Sequence, residues 1–454
     1  MNGEDTRSHY KELTGHIGAA MLRQVAALLL SFALGVMLAR LLGPEGNGRY
    51  AMALLLPALI ISFLNMGIPS ANVYFLGSRR VSLKQALWTS VRFWVAICGF
   101  GIPSAVLLVF WFGDTLFRGV GVDPLLIALL LFPVALLQNF YLSLLHGKQE
   151  FTSYNGALLV SPSAALVLVF FAVFVLDLEI VGALVGVIAA QLIGLVFVAS
   201  MIHKRVRSEV AELASETYAK PCIVYGLKAH FSNVLTFLNY RIDIFLVNYF
   251  LDPLSTGVYV VAVNIAERLW ILSQSVSFVL FPRLSELHRT EGDSHRLAQT
   301  LAKAVLVVTL AAVGILAVVS KPFIVLIFGP EYAGASTALL WLLPGIAFGN
   351  LSRVLSNDIA ARGRPELNTY SAALEVGINL AANLVLIPKM GINGAALATT
   401  LAYTCDAAAK VAVFSHLNRS RWWELFVPGR DDRHLLGLAI GGIRSWGGQR
   451  NSGS

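Results

Sequence analysis

Charged and amide side chains recur within long apolar stretches of this sequence, at the spacing of a helix face. In the stretch 225–250, six polar side chains fall within about 80° of helix arc: Tyr225, Lys228, Ser232, Thr236, Asn239 and Asp243. Arg241 lies on another side of the same stretch. Ionisable groups inside hydrocarbon are costly and normally face a bundle interior or an aqueous cavity. These residues are therefore candidates for function.

Other apolar stretches carry similar residues, and their chemistry favours an anionic ligand. Arginine pairs with phosphate through two parallel hydrogen bonds, and lysine supplies a point charge. Several cations among amides and hydroxyls therefore suit an anionic headgroup that bears sugars. The candidate substrate-binding residues are Arg23, Lys228, Asn239, Arg241, Arg268, Asn350, Arg353 and Asn357. The acids that we expect to bind a coupling ion, H⁺ or Na⁺, are Asp243, Glu267 and Glu375.

A structural interpretation applies to some of these polar residues. Asn379 and Asn383, which share a face with Glu375, are typical of hydrogen bonds between membrane helices. Glu267 beside Arg268, and Asp406 one turn before Lys410, have the spacing of ion pairs that hold helices together. Lys410 also lies near a helix end, where a lysine often extends its ammonium group to the membrane surface.

The elements that would position these residues are membrane helices. Of the 454 residues 57% are hydrophobic and 13% are charged, about half the charge of an ordinary soluble domain. Twelve apolar runs are long enough to cross a bilayer, which takes about 20 residues. They lie near 16–42, 50–77, 86–112, 124–146, 154–176, 180–203, 225–250, 256–282, 302–328, 334–360, 368–388 and 392–416. The sequence predicts an all-α, polytopic membrane protein of about twelve transmembrane helices.

An internal repeat divides these helices into two sets of six. The pattern L-x-P-x-x-x-G-x-Y occurs at 42–50 and again at 251–259, and 147–154 resembles 363–370. An internal repeat of membrane helices is typical of secondary transporters. We expect two pseudo-symmetric six-helix lobes around a central cavity. The boundaries are an N-terminal lobe 1–208, a cytoplasmic linker 209–224, a C-terminal lobe 225–417 and a polar, non-spanning tail 418–454.

The distribution of basic residues predicts the orientation. The net charge is +8, and most loop lysines and arginines fall on one side of the predicted membrane. The positive-inside rule therefore places the N-terminus in the cytoplasm. We expect the chain to cross the cytoplasmic membrane of a bacterial cell many times. The first outside loop is an exception, because it holds Arg40 and Arg49. The basic balance reflects topology and contact with membrane lipid, and we expect no nucleic-acid partner.

The motifs of common enzyme and metal sites are missing from the sequence. It contains no G-x-x-x-x-G-K-[ST] phosphate loop and no H-E-x-x-H. The three cysteines, Cys98, Cys222 and Cys405, show no metal-ligand spacing. We therefore expect a transporter with no catalytic residues, no cofactor and no bound metal.

Several stretches resemble polysaccharide flippases of the multidrug/oligosaccharidyl-lipid/polysaccharide exporter superfamily. They are Leu38–Tyr50, Asn65–Asn72, Leu238–Asp243 with Thr256–Tyr259, Phe281–Leu284 and Gly391–Ala396. The resemblance covers about residues 15–417. It implies two six-helix lobes around a cationic cavity that carries undecaprenyl-pyrophosphate-linked oligosaccharide from the inner to the outer leaflet by alternating access. Family members commonly have twelve to fourteen helices.

The resulting hypothesis is a flippase for lipid-linked oligosaccharide repeat units in O-antigen, capsule or exopolysaccharide synthesis. Its expected partners are that substrate, membrane lipid, H⁺ or Na⁺, and the glycosyltransferase and polymerase of the same pathway. Two alternatives of the same superfamily remain, a lipid II flippase and a cation-coupled multidrug exporter. A membrane glycosyltransferase or polymerase is the alternative from another class, although such proteins usually need larger loops outside the membrane.

Overall fold

A computed structural model describes residues 3–208, 218–289 and 294–427, with side chains from residue 25 onward except at several positions between 278 and 295. The described chain is all-α, with no strand. Its α-helices are α1 (Gly3–Leu64), α2 (Ile68–Gly77), α3 (Leu83–Leu116), α4 (Val122–Leu129), α5 (Leu131–Gly147), α6 (Phe151–Phe170), α7 (Glu179–Ser208), α8 (Ala219–Phe250), α9 (Pro253–Glu267), α10 (Trp270–Arg289), α11 (Ser294–Ile327), α12 (Ala335–Ala361), α13 (Pro365–Met390) and α14 (Ile392–Asn418).

These segments make twelve membrane-length helices, as predicted. Helix α1 contains two of them, divided at Gly43. Three of the twelve are each interrupted once. The breaks lie between α1 and α2 in the second membrane helix, between α4 and α5, and between α9 and α10. Most predicted ends fall within a turn or two of the observed ones. Eight helical stretches of the described chain are long and apolar enough to span a membrane by length and composition alone. The protein is a multi-pass membrane protein.

The bend at Gly43 follows from two adjacent residues. Gly43 has φ 65° and ψ 177°, a conformation that glycine adopts without steric penalty. Pro44 then begins the second half of α1, at the helix position where a missing N–H and a fixed φ do no harm. The second copy of the motif starts a helix in the same way, because α9 begins at Pro253. Each L-x-P motif therefore ends one membrane helix and begins the next.

Contacts divide the chain into two compact units. Unit 1 comprises Met1–Val261 with Val325–Tyr332, and unit 2 comprises Ala262–Ile324 with Ala333–Ser454. The core of unit 1 is centred on the apolar side of α5, around Phe132, Leu136, Phe140 and Leu144. The core of unit 2 is centred on α12 and α14, around Leu351, Val354, Leu355 and Phe414.

The predicted division into lobes 1–208 and 225–417 stays a prediction, as do the linker 209–224 and the tail 418–454. Residues 209–217 of the linker and the tail from 428 onward lie outside the described residues.

One buried asparagine joins four segments of unit 1. Asn72 is fully buried on α2, and its amide donates to the hydroxyls of Ser90 on α3, at 3.0 Å, and Ser143 on α5, at 2.9 Å. Its carbonyl oxygen accepts from the Tyr218 hydroxyl at the start of α8, at 3.0 Å. Burial raises the pKa of Tyr218, which keeps that hydroxyl protonated as the donor. The Asn72 amide thus gives these hydroxyls the hydrogen bonds that lipid cannot supply.

We predict that Asn72→Ala lowers the free energy of unfolding by about 1–2 kcal/mol, because three buried polar groups lose their partner. Thermal unfolding in detergent measures the change. The matched control is Ser104→Ala, whose exposed hydroxyl bonds only the Phe100 carbonyl of its own helix and which should behave like the parent protein. Equal melting temperatures for all three proteins would contradict the role given to Asn72.

Candidate functional site

Helix α8 holds four of the predicted site residues of unit 1. Asn239 and Asp243, one turn apart, are buried at 7% and 3% exposure. Lys228 is exposed and Arg241 is half-buried. The structure therefore places the amide and the acid in the protein interior, and the two cations on more accessible parts of the same helix.

The Asp243 carboxylate has a specific partner in the repeated motif. Tyr259, the last residue of the second motif copy, donates its hydroxyl to Asp243 Oδ2 at 2.7 Å. Oδ1 accepts from the backbone N–H of Ile244, also at 2.7 Å. A buried carboxylate needs such donors to remain charged. Any role of Asp243 in ion coupling would therefore involve Tyr259.

In unit 2, a membrane helix is interrupted at two predicted site residues. Helix α9 ends at Glu267 and α10 begins at Trp270, so Arg268 lies in the break. The backbone N–H of Arg268 donates to the Ile265 carbonyl at 3.2 Å, a shorter loop than an α-helical bond closes. Interrupted membrane helices are tolerated where the backbone is buried in protein or lines a water-filled space, and they often mark transport sites.

Arg353 packs over an aromatic ring that follows this break. Its Cζ atom lies 4.7 Å from the centre of the Trp270 ring, within range of a cation–π interaction. The Trp270 ring in turn packs edge-on against Tyr403, with 5.5 Å between ring centres. Trp270 approaches α12 closely at Gly349, where a Cβ atom would overlap the indole ring. We call Arg353, Trp270 and Tyr403 the arginine–aromatic cluster.

Asn350 and Asn357, on the same helix as Arg353, hydrogen-bond to α10. The backbone N–H of Ser273 donates to Asn350 Oδ1 at 3.3 Å. The Asn357 amide donates to the Ser277 hydroxyl at 2.8 Å. The structure thus brings three predicted residues of α12 to one neighbouring helix. Both asparagines bind protein groups there, which makes them supports for the cluster.

Glu375 belongs to a polar stripe on α13. The buried residues of this helix are Ser371, Glu375, Asn379, Asn383 and Ile387, each one turn from the next. The Asn383 amide donates to Asn379 Oδ1 at 2.8 Å, and the Asn379 amide donates to the Thr399 hydroxyl of α14 at 3.4 Å. The two asparagines therefore make the hydrogen bonds within and between helices that their pattern indicates. Leu374, Leu380 and Leu384 are exposed on the same helix.

A buried ion pair near this stripe has more partners than its spacing indicated. Lys410 Nζ lies 2.9 Å from Asp406 Oδ2 and donates to the Ser352 hydroxyl of α12 at 3.0 Å. Asp406 also accepts from Ser352 and from Ser371 of α13. Lys410 is only 8% exposed, so the expectation that it reaches the membrane surface is wrong. Its carboxylate partner draws the ammonium group into the bundle.

The contacts described so far do not bear on Arg23 or on the question of a metal site. Arg23 lies on α1, but its side chain is outside the described residues, so its role stays a prediction. Among the described residues, no group of three or more His, Cys, Asp or Glu side chains has the arrangement of a metal site.

A protein-family model described as polysaccharide biosynthesis protein matches residues 37–337, well over half of this chain. The chain belongs to the polysaccharide biosynthesis protein family. The family resemblance that the sequence motifs indicated is thereby confirmed.

Relatives of this chain carry names from glycan export. It is 23% identical over 384 residues to a Shigella flexneri protein named as an O-antigen transporter, a match that covers 82% of this chain and 90% of that protein. It is 25% identical over 192 residues to a Haloferax volcanii protein named as a probable low-salt glycan biosynthesis flippase, covering 42% of this chain and 39% of the relative. An uncharacterized membrane protein of Methanocaldococcus jannaschii is 32% identical over 132 residues, or 26% of its length. The chain thus matches well under half the length of the latter two relatives. Both relatives whose names state an activity are transporters rather than enzymes.

Solved structures confirm the fold class. The lipid II flippase MurJ in an inward closed conformation superposes with a TM-score of 0.74 at 16% identity, covering 90% of this chain and 89% of MurJ. An inward-facing multidrug resistance transporter of the MATE family gives a TM-score of 0.67 at 15% identity, covering 88% and 99%. At these identities the likeness concerns the fold. The chain has the fold of the predicted superfamily.

We predict that Lys410→Met lowers the free energy of unfolding by about 3 kcal/mol or more, because it leaves Asp406 charged and buried without its cation. Thermal unfolding in detergent measures the change. Asp406→Asn combined with Lys410→Met should recover part of the loss, since neither charge then remains.

The control is Glu45→Gln, which breaks the exposed Glu45–Arg49 pair of the same one-turn spacing. Exposed pairs contribute about 0–1 kcal/mol, so little change is expected. If Lys410→Met were as mild as Glu45→Gln, the buried pair would not stabilise unit 2.

Proposed function

We propose that this protein flips polyprenyl-(pyro)phosphate-linked oligosaccharide repeat units across the cytoplasmic membrane by alternating access, for the synthesis of O-antigen, capsule or exopolysaccharide. The observation that carries the proposal is the arginine–aromatic cluster beside the interrupted helix of unit 2. Membership of the polysaccharide biosynthesis family supports it, as do the relatives named for O-antigen transport and glycan flipping.

The cluster has the chemistry that a phosphorylated sugar lipid requires. A guanidinium binds phosphate oxygens through parallel hydrogen bonds, and it does so more strongly where water is scarce. Aromatic rings pack against the apolar faces of sugar rings. Trp270 holds the Arg353 side chain in one orientation, so less conformational entropy is lost when a headgroup binds.

The remaining candidates take subsidiary roles in this proposal. Arg268, in the helix break, supplies a second cation on unit 2, and Lys228 and Arg241 supply cations on unit 1. Asn350 and Asn357 position α10 and thereby Trp270. Asn239 and Arg23 are proposed contacts of the sugar headgroup.

The three candidate acids are proposed to couple transport to an ion gradient. Asp243, Glu267 and Glu375 lie on or beside membrane helices, where binding of H⁺ or Na⁺ would change a charge that the protein has to satisfy. We propose that the lobes 1–208 and 225–417 are the bodies whose movement exchanges access, with the N-terminus in the cytoplasm. The glycosyltransferase that completes the repeat unit and the polymerase that consumes it are the proposed partners.

The alternatives make different demands on the same residues. A multidrug exporter would bring cationic cargo toward Arg268 and Arg353, where repulsion opposes binding. A lipid II flippase carries a cargo of the same chemical class, so only its sugar and peptide portion differs. A membrane glycosyltransferase or polymerase would have to bind and transform a sugar donor. A flippase, in contrast, transports its cargo without changing it chemically.

We predict that Arg353→Ala abolishes most flipping of a fluorescent polyprenyl-pyrophosphate disaccharide in proteoliposomes, because the phosphates lose an oriented guanidinium. Arg241→Ala should impair flipping as well. Arg353→Lys should retain partial activity, since it keeps the charge but loses the two-bond geometry. The fraction of substrate exposed to an added quenching reagent measures flipping.

The control variant is Lys389→Ala, an exposed cation at the end of α13, which should flip at the parent rate. Parent-level flipping by both arginine variants would remove these residues from the site. If the parent protein transported a cationic dye and not the glycolipid, the exporter alternative would replace the proposal.

A further inference from the structure

The two copies of the repeated motif contact each other within unit 1. A Cβ atom added to Gly48 would overlap the Pro253 carbonyl oxygen and lie 2.8 Å from the Gly257 nitrogen. A Cβ atom added to Gly257 would overlap the Pro44 carbonyl oxygen and lie 2.9 Å from the Gly48 nitrogen. The contact is reciprocal, as at a two-fold axis. The glycine of each motif is required because it packs against the first residue of the other motif's helix.

One side chain adds a directional bond to this contact. The Asn47 amide, at 6% exposure, donates to the Gly257 carbonyl at 3.4 Å. The corresponding residue of the second copy, Thr256, instead donates to Asn248 at 3.3 Å and to the Asp252 carbonyl at 2.9 Å. The two backbones therefore make a symmetric contact, while their side chains differ.

Two arginines join helix ends next to the paired motifs, and they follow the same symmetry. Arg40 Nε, at the end of the first half of α1, donates to the Ile327 carbonyl that ends α11, at 2.7 Å. Arg118, just after α3, donates to the Tyr249 carbonyl in the last turn of α8, at 3.2 Å. In the repeat, α8 corresponds to the first half of α1, and α11 corresponds to α3. One arginine therefore joins the first half of α1 to α11, and the other joins the corresponding helices, α8 and α3. Each arginine binds carbonyls at the negative end of a helix dipole.

These contacts account for the basic residues that departed from the positive-inside rule. Of the two exceptions, Arg40 binds a helix end and Arg49 pairs with Glu45. Both lie, with Arg118, at the end of the bundle that the charge distribution predicts to be outside. Structure, rather than topology, explains their position there.

We infer that the paired motifs, 42–50 and 251–259, form a contact that closes the outer end of the transporter and separates when the transporter opens outward. The inference rests on the proposed alternating access. Glycine at 48 and 257 is needed only where the two helix starts touch. A methyl group at either position therefore favours the separated state and leaves the rest of each helix intact.

Cysteine accessibility tests this directly. Cys98, Cys222 and Cys405 are replaced by alanine, and Asn47→Cys serves as the reporter because its side chain is buried in the contact. A membrane-impermeant maleimide is added to intact cells, and labelling of the purified protein is followed with time. We expect slow labelling in the reporter protein and labelling several-fold faster when Gly257→Ala or Gly48→Ala is added.

The matched control is Gly35→Ala on α1, where an added Cβ has nothing within 4 Å and the reporter should label at the slow rate. If Gly257→Ala fails to insert, Arg118→Gln in the reporter protein is the second test, and it should also label faster. Equal rates in the well-expressed variants and in the control overturn the inference. So does fast labelling of the reporter protein alone.

The labelling assay and the flipping assay test different hypotheses, so one can fail while the other succeeds. If the parent protein does not flip the glycolipid but Gly257→Ala still exposes residue 47, the cargo assignment is wrong and the paired-motif contact stands. If the glycolipid is flipped and labelling does not change, the contact is a fixed part of the fold.

Discussion

Lipid offers no hydrogen bonds, so every polar group that this chain carries into the membrane has to find a partner in the protein or in enclosed water. The buried stripe of α13 shows the consequence most plainly. Its inward residues are a serine, an acid and two asparagines, while leucines face outward. This is the reverse of a soluble helix. Asn72 in unit 1 and the Asp406–Lys410 pair in unit 2 follow the same rule, each gathering donors or acceptors from several helices.

The rule also separates polar residues that stabilise the bundle from those that are suited to a ligand. Asp406 and Asn379 are bound by neighbouring helices. Arg353 packs over an aromatic ring, next to a helix whose backbone is interrupted. An arginine oriented by a ring keeps a planar face of donors with a defined direction. That arrangement is what recognition of a phosphorylated headgroup requires, and it is why the proposed function is centred on unit 2.

Much of the fold could be predicted from sequence, and the reason is physical. A membrane helix can be recognised in a sequence by one property, a long apolar run. All twelve helices were located in this way. The repeat was equally visible, because Pro44 and Pro253 each begin a helix and Gly48 and Gly257 each have to admit a close neighbour. Helical spacing also found the polar stripe of α13, since a stripe is a property of a single helix.

What spacing did not predict was the choice of partner. For Lys410, spacing indicated both an ion pair with Asp406 and an extension to the membrane surface. It could not decide between them, because the serines of α12 and α13 that join the pair were not known. Trp270 carried no signal, since one tryptophan in an apolar run looks like any other, and its contact with Arg353 depends on how α10 packs on α12. Asp243 was identified as a candidate for ion binding, but its bond to Tyr259 was not. Pairing between helices is decided by three-dimensional packing, which one-dimensional periodicity does not contain.

The central claim is that an oriented, partly desolvated arginine in unit 2 recognises the phosphates of a sugar lipid. Equilibrium binding in detergent tests it most directly, by comparing a polyprenyl pyrophosphate with the uncharged polyprenol of the same chain length. We expect the pyrophosphate to bind many-fold more tightly to the parent protein, and the ratio of the two affinities to fall toward one in Arg353→Met. Equal affinities for the two lipids in the parent protein, or an unchanged ratio in the variant, would contradict the account.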